Sequence, residues 1–124
     1  MDIQKLINDY TSWMRNKITF DKVGEYYEIT TPYLDSSNDY LQIYVRQDGE
    51  SIFFTDDGAT IQNLKMCGFQ LTPVRKELLQ RTLRQHGVEL NGNELISSAQ
   101  KDFAQKMHLF IQAILNINNC YATK

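Results

Sequence analysis

The sequence predicts a single α+β domain over residues 1–124, with a mainly antiparallel sheet on which an N-terminal helix, two central helices and a long C-terminal helix pack. Three observations carry that prediction. A helical apolar beat opens and closes the chain, strand-like alternation fills residues 40–55, and tight-turn dipeptides separate the alternating runs.

Ile3, Leu6, Ile7, Tyr10, Trp13 and Met14 share one face of a helix over residues 2–17. The period then changes. Phe20, Val23, Tyr27, Ile29 and Thr31 interleave with polar residues around Gly24, the pattern of two short strands. Further on, Leu41, Ile43 and Val45 alternate with Gln42, Tyr44 and Arg46, and Ile52 and Phe54 with Ser51, Phe53 and Thr55. Asp48-Gly49 between these runs reads as the two-residue loop of a hairpin. In that register Val45 faces Ile52, Ile43 faces Phe54 and Leu41 falls opposite Asp56, leaving one face entirely apolar.

Asp56-Asp57-Gly58 then leads into a short helix on Ile61 and Leu64, capped by an aspartate and closed at Gly68, with Phe69 folding back on Leu64. Thr72-Pro73 opens the next helix and Gly87 closes it; Val74, Leu78, Leu79 and Leu83 form its apolar side. Val88-Glu89-Leu90 and Glu94-Leu95-Ile96 flank Asn91-Gly92 and read as a second tight hairpin or a strand with a turn. The last helix, residues 98–121, carries Phe103, Met107, Phe110, Ile114, Ile117 and Tyr121, widened by Ile111 and Leu115. A stripe that broad packs into a core and is too wide for a coiled-coil seam.

With 42% hydrophobic residues, 11% aromatics and a net charge of −2, the chain is not a disordered segment. Cys67 and Cys120 stand alone, which excludes a disulfide scaffold. The opening Met1-Asp2-Ile3-Gln4-Lys5 lacks the apolar core of a signal peptide, and no run approaches the ~18 apolar residues of a membrane span. The expectation is a soluble, intracellular, reduced protein. Its small net charge conceals an asymmetry: residues 1–60 hold eleven acids against five bases, and residues 61–124 hold eight bases against four acids.

Chemistry is sparse. The hairpin register brings the loop containing Asp35, Asn38 and Asp39 to the same end of the sheet as Asp56, Asp57 and Thr60. Four carboxylates there, Asp35, Asp39, Asp56 and Asp57, are the oxygen ligands that Mg²⁺ or Mn²⁺ prefers. The same residue types also cap helices and close turns through their own backbone, and no lysine or arginine follows the acids at the spacing a metal nuclease uses. Arg75, on the core-facing side of its helix, either reaches the acidic cluster and pairs with it or only snorkels its stem along the apolar surface. Cys67, His86, His108 and Cys120 are zinc-ligand types without the paired spacing of a zinc site. The bases of residues 73–86 scatter round their helix, a poor phosphate stripe, so direct nucleic-acid binding is not expected.

The segments ITTPYLDSSNDYLQIYV (29–45), FTDDGATIQNL (54–64) and the stretch from LLQRTLRQHGVEL to KDFAQKMHLFIQAIL (78–115), taken together, resemble the bacterial and prophage family catalogued as domain of unknown function 1828, over about residues 5–118. The resemblance implies a stand-alone module without the nuclease-like second domain of longer relatives, a bacterial cytoplasm, and a setting of mobile elements and defence. It points to Thr31, Asp35, Asn38, Asp39, Asp56, Asp57 and Thr60 as binding residues, with Arg75 added by the helix argument. The leading expectation is a phage or mobile-element protein that binds and modulates a host protein without catalysis or cofactor, as an anti-CRISPR inhibitor of a defence nuclease does. The alternative is a Mg²⁺- or Mn²⁺-dependent enzyme or accessory domain for nucleic-acid processing, built on the four aspartates. A third reading is a homodimer formed by the final helix stripe with Tyr44 and Phe53.

Overall fold

The computed structural model describes residues 1–121, with side chains described through Asn118. The N-terminal helix α1 spans Ile3–Lys17; the Asp2 carboxylate accepts the Lys5 amide at 3.1 Å, and Arg15 and Lys17 lie in the last turn, where the helix dipole favours cations. Strands β1 (Thr19–Val23), β2 (Tyr26–Leu34), β3 (Tyr40–Asp48) and β4 (Ser51–Thr55) follow. Helices α2 (Ala59–Met66) and α3 (Pro73–Gln85), strands β5 (Glu89–Asn91) and β6 (Glu94–Ala99), and helix α4 (Phe103–Tyr121) complete the chain. The six strands form one antiparallel sheet in the order β1-β2-β3-β4-β6-β5. The α+β architecture expected from the sequence is the one observed. No helix among the described residues is long and apolar enough to cross a membrane.

The β3–β4 register differs from the expected one by two residues. Asp48 pairs with Ser51, Val45 with Phe54 and Tyr44 with Thr55, so the loop is Gly49-Glu50 and not Asp48-Gly49. Gly49 has φ +64° while Glu50 is not among the positive-φ residues. A turn with positive φ only at its first loop position takes glycine there, and an Asp-Gly loop would demand it at both. The same Gly-first loop recurs at Gly24-Glu25 and Gly92-Asn93, where Val23 pairs with Tyr26 and Asn91 with Glu94. Because the shift is even, every side chain keeps its face, and the apolar face survives the correction.

That face carries the core. Leu41, Ile43 and Phe54 from the sheet meet Ile61 and Leu64 of α2, Leu79 and Leu83 of α3, and Phe110, Ile111, Ala113, Ile114 and Ile117 of α4, all buried. The Phe54 ring stacks between Phe103 at 5.4 Å and Phe110 at 5.7 Å. Both central helices end in a pair of backbone hydrogen bonds around a glycine. Phe69 N donates to Leu64 O and Gly68 N to Lys65 O; Val88 N donates to Leu83 O and Gly87 N to Arg84 O. Two expectations on α3 fail, since Val74 and Leu78 are exposed and only Leu79 and Leu83 enter the core.

Candidate functional site

Asp56 directly follows β4 and is 1% exposed. Its Oδ1 accepts the amides of Gly58 and Leu95, both at 2.9 Å, and its Oδ2 accepts the Thr60 amide at 3.0 Å. One carboxylate thereby caps the first turn of α2 and ties β4 to β6. The residue at the N-cap position itself is Gly58, which makes no side-chain cap bond, so the capping aspartate sits two residues earlier. The chain turns sharply enough that Asp57 adopts φ +57°. Thr55 holds the same junction: its hydroxyl accepts the Asp57 amide at 3.0 Å and donates to Glu94 Oε1 at 2.7 Å. Thr60 is buried behind it.

The loop between β2 and β3 is closed in a similar way. Asp35 Oδ1 accepts the amides of Ser37 at 2.8 Å and Asp39 at 3.0 Å, while the Asn38 amide donates to Asp35 O with Asn38 at φ +62°. Thr31, fully buried where the β2–β3 pairing shifts register, donates its hydroxyl to Leu41 O at 2.9 Å. The side chains of Thr31, Asp35 and Asp56 therefore bond the chain's own backbone, while Asn38 contributes its backbone amide. Asp39 contributes only backbone groups to this loop.

The four aspartates do not meet at one point. Asp35 and Asp56 line a cavity of about 40 Å³ with Thr60, Asn63 and Asn118, whose buried Oδ1 has no hydrogen-bond partner. Asp57 lines a different hollow, of about 170 Å³, with Val23, Tyr26, Tyr44 and Glu94. Asp39 lines neither. Among the described residues no three Asp, Glu, His or Cys side chains come together as a metal-holding group. Arg75 is also elsewhere: its guanidinium lies 4.7 Å from the Phe69 ring and donates to Gln70 O at 2.9 Å. Of the zinc-type residues, Cys67 is exposed, and His86 bridges Thr82 O and Asn116 Nδ2, each at 3.1 Å, joining α3 to α4. The Cys120 and Tyr121 side chains lie outside the described residues.

A family model, that of the domain of unknown function DUF1828, matches residues 31–117. The chain belongs to that family. No curated protein and no solved structure matches it. In this DUF1828 protein the match begins at Thr31, so α1, β1 and the first half of β2 precede the matched region.

Two features of the DUF1828 protein went unmarked in the sequence. The first is a cavity of about 590 Å³ lined by Arg46, Phe53, Arg84, Ser98, Glu89 and Lys106 among others, and by none of the expected site residues. Alternation placed Arg46 and Phe53 on the polar face of the hairpin, where Arg46 stacks 4.6 Å over the Phe53 ring. Arg84 and Lys106 arrive from other elements, which no local pattern could show.

The second feature is a bare apolar surface. No residue of α1 is buried, and Tyr10 and Trp13 are 60% and 51% exposed. Phe20 pairs with Ile29 and Tyr27 with Val45, so both stand on the core-bearing face of the sheet. Phe20 is nevertheless 68% exposed and Tyr27 42%, because the helix layer stops short of the β1–β2 end. The aromatics expected to be bare are otherwise engaged. Tyr44 donates its hydroxyl to Glu28 at 3.0 Å; burial, and then that carboxylate, push the phenol up to about 12. Of the final helix stripe, Phe110, Ile111, Ile114 and Ile117 are likewise in the core, with Phe103, Met107 and Leu115 packed against it.

Proposed function

We propose that this DUF1828 protein is a non-catalytic protein-binding module that acts on a host protein. One observation carries the reading: Leu6, Ile7, Tyr10 and Trp13 along α1, and Phe20 and Tyr27 at the outer end of the sheet, are large apolar side chains that stay between 42% and 68% exposed. Patches of that kind mark protein contacts on soluble domains. The polar residues of the family pattern support the same reading, since their hydrogen bonds build loops and a helix cap and leave no assembled acid, base or nucleophile.

In its most concrete form the partner is a bacterial defence nuclease, the version suggested by the acidic N-terminal half and by the family resemblance. A cleavage assay with a purified CRISPR nuclease tests it: wild type is expected to suppress cleavage, and a protein carrying Ile7→Lys with Trp13→Lys is expected not to. Equal behaviour of the two proteins would overturn the role given to this surface. Four aspartates that do not converge give the metal-enzyme reading no support of its own, and calorimetry with Mg²⁺ and Mn²⁺ is expected to show no binding heat.

A further inference from the structure

We infer that the cavity of about 590 Å³ beside β6 is a small-molecule site for the phosphate monoester of a sugar, free or as part of a nucleotide. No residue of α1 lines it, and neither Phe20 nor Tyr27 does, so it is separate from the surface proposed to meet a protein partner. The sheet makes the opening. Arg46 pairs with Phe53 and Phe53 with Ser98, a row across β3, β4 and β6 on the face turned away from the core. Strand β5 pairs with β6 only from Glu94 to Ile96, so the row ends at an edge with no strand beyond it. The end of α3 comes to that edge, where Gly87 O accepts the Ser97 hydroxyl at 3.0 Å. Lys106 of α4 reaches the same place, its Nζ 3.5 Å from where a Cβ on Gly87 would stand. The volume falls within the range of roughly 300–1,000 Å³ usual for small-ligand sites.

Three cations from three elements line this cavity: Arg46 from β3, Arg84 from α3 and Lys106 from α4. Among the described residues the ion pairs are Lys5–Asp9 and Arg81–Glu77, so none of the three has a carboxylate partner. Arg46 and Lys106 are half-buried, where an unpaired charge carries a desolvation cost that a bound anion offsets. The α3 dipole favours Arg84 in the last turn but has no hold on Arg46, which stands on the sheet. Stacking 4.6 Å over Phe53 fixes the plane of the Arg46 guanidinium, whose paired N–H groups match two oxygens of a phosphate at once. Two acids, Glu89 and Glu94, also line the cavity, and Glu94 Oε1 accepts the Thr55 hydroxyl at 2.7 Å. These carboxylates repel a bare anion but accept bonds from hydroxyl groups. A sugar phosphate supplies both halves, phosphoryl oxygens for the cations and hydroxyls for the acids.

Titration of the isotope-labelled protein, followed by NMR, tests the site with ribose-5-phosphate, AMP, ribose and inorganic phosphate as probes. The amide signals of Arg84, Gly87, Ser98 and Lys106 are expected to move with the first two at millimolar concentration. Ribose and inorganic phosphate, each lacking one half of the ligand, are expected to bind at least about tenfold more weakly. Equal binding of AMP and ribose-5-phosphate makes the sugar phosphate the whole recognised unit, and tighter binding of AMP adds a seat for the base; either result supports the site. Arg84→Gln with Lys106→Gln is expected to weaken binding about a hundredfold, about tenfold for each charge-assisted bond lost, and Arg46→Gln alone about tenfold. Lys76→Gln with Arg81→Gln changes the charge of α3 by the same amount outside the cavity and is expected to bind as wild type does. Circular dichroism and melting are expected to match wild type throughout, since neither the Arg84 nor the Lys106 side chain bonds another described residue. Signals that stay still with both esters overturn the site. So does inorganic phosphate binding as tightly as the esters, or a loss of affinity in the Lys76 and Arg81 variant equal to that in the cavity variant.

Discussion

Asp56 accepts three backbone amides, two of them its bonds to the first turn of α2 and the third from Leu95 on β6. Removing its carboxylate strands all three donors, and the Leu95 and Thr60 amides have no water to turn to. Each buried orphan costs about 1–3 kcal/mol, so Asp56→Ala is expected to lower stability by about 3–5 kcal/mol in a denaturant titration. Asp39 stands beside it in the family pattern and makes no such bonds. Asp39→Ala is expected to stay within ~0.5 kcal/mol of wild type in the same experiment. Tyr44 adds a pH dependence. Its phenol ionises near 10 in the unfolded chain and near 12 in the folded one, so folding favours the neutral form. The resulting stabilisation is complete below pH 10 and is lost as pH rises through 12. Tyr44→Phe is expected to flatten the fall in melting temperature over that window.

At the scale of elements, periodicity showed which segments are helices and strands, and the order from α1 to α4 was legible throughout. The hairpin register was not. Both Asp48-Gly49 and Gly49-Glu50 leave the alternation intact, and the choice depends on whether one loop residue or two must take positive φ. The backbone answers with one, at Gly49. A Cβ there meets nothing within 4 Å, so Gly49→Ala is expected to cost only the backbone strain, about 1–2 kcal/mol in a thermal melt. The same ambiguity explains the cap of α2, where the sequence offered Asp56 and Asp57 equally. Only the approach of β6, which delivers the Leu95 amide, selects Asp56.

Across the whole molecule the helix layer is narrower than the sheet it covers. Helices α2 and α4 close over β4 and β6 and α3 over β5, with Leu41 and Ile43 of β3 in the same core, and Phe54 within it is 1% exposed. Phe54→Ala removes a ring stacked on both Phe103 and Phe110 and is expected to cost about 3–5 kcal/mol by denaturant unfolding, a large part of the ~5–15 kcal/mol that holds a domain together. At the β1–β2 end the same face has no cover. Ile7→Lys with Trp13→Lys is accordingly expected to leave the melting temperature near that of wild type while changing what the protein associates with.

Local chemistry in the sequence by itself determined the helices and strands, the apolar face of the β3–β4 hairpin, the turns at Asp35 and Gly68, and the family. These depend on neighbours along the chain, whose spacing the covalent backbone sets. Tertiary structure alone decided that Asp56 is buried under three amides, that Arg75 lies on Phe69 and away from the acids, and that the four aspartates part company. It also decided which apolar stripe is core and which is surface. The stripes of α1 and α4 look alike in sequence, and α4 is buried because it lies against β4, β6, α2 and α3, whereas α1 lies against β2 with no residue buried. Amphipathicity says that a face must be covered; the positions of the other elements say by what.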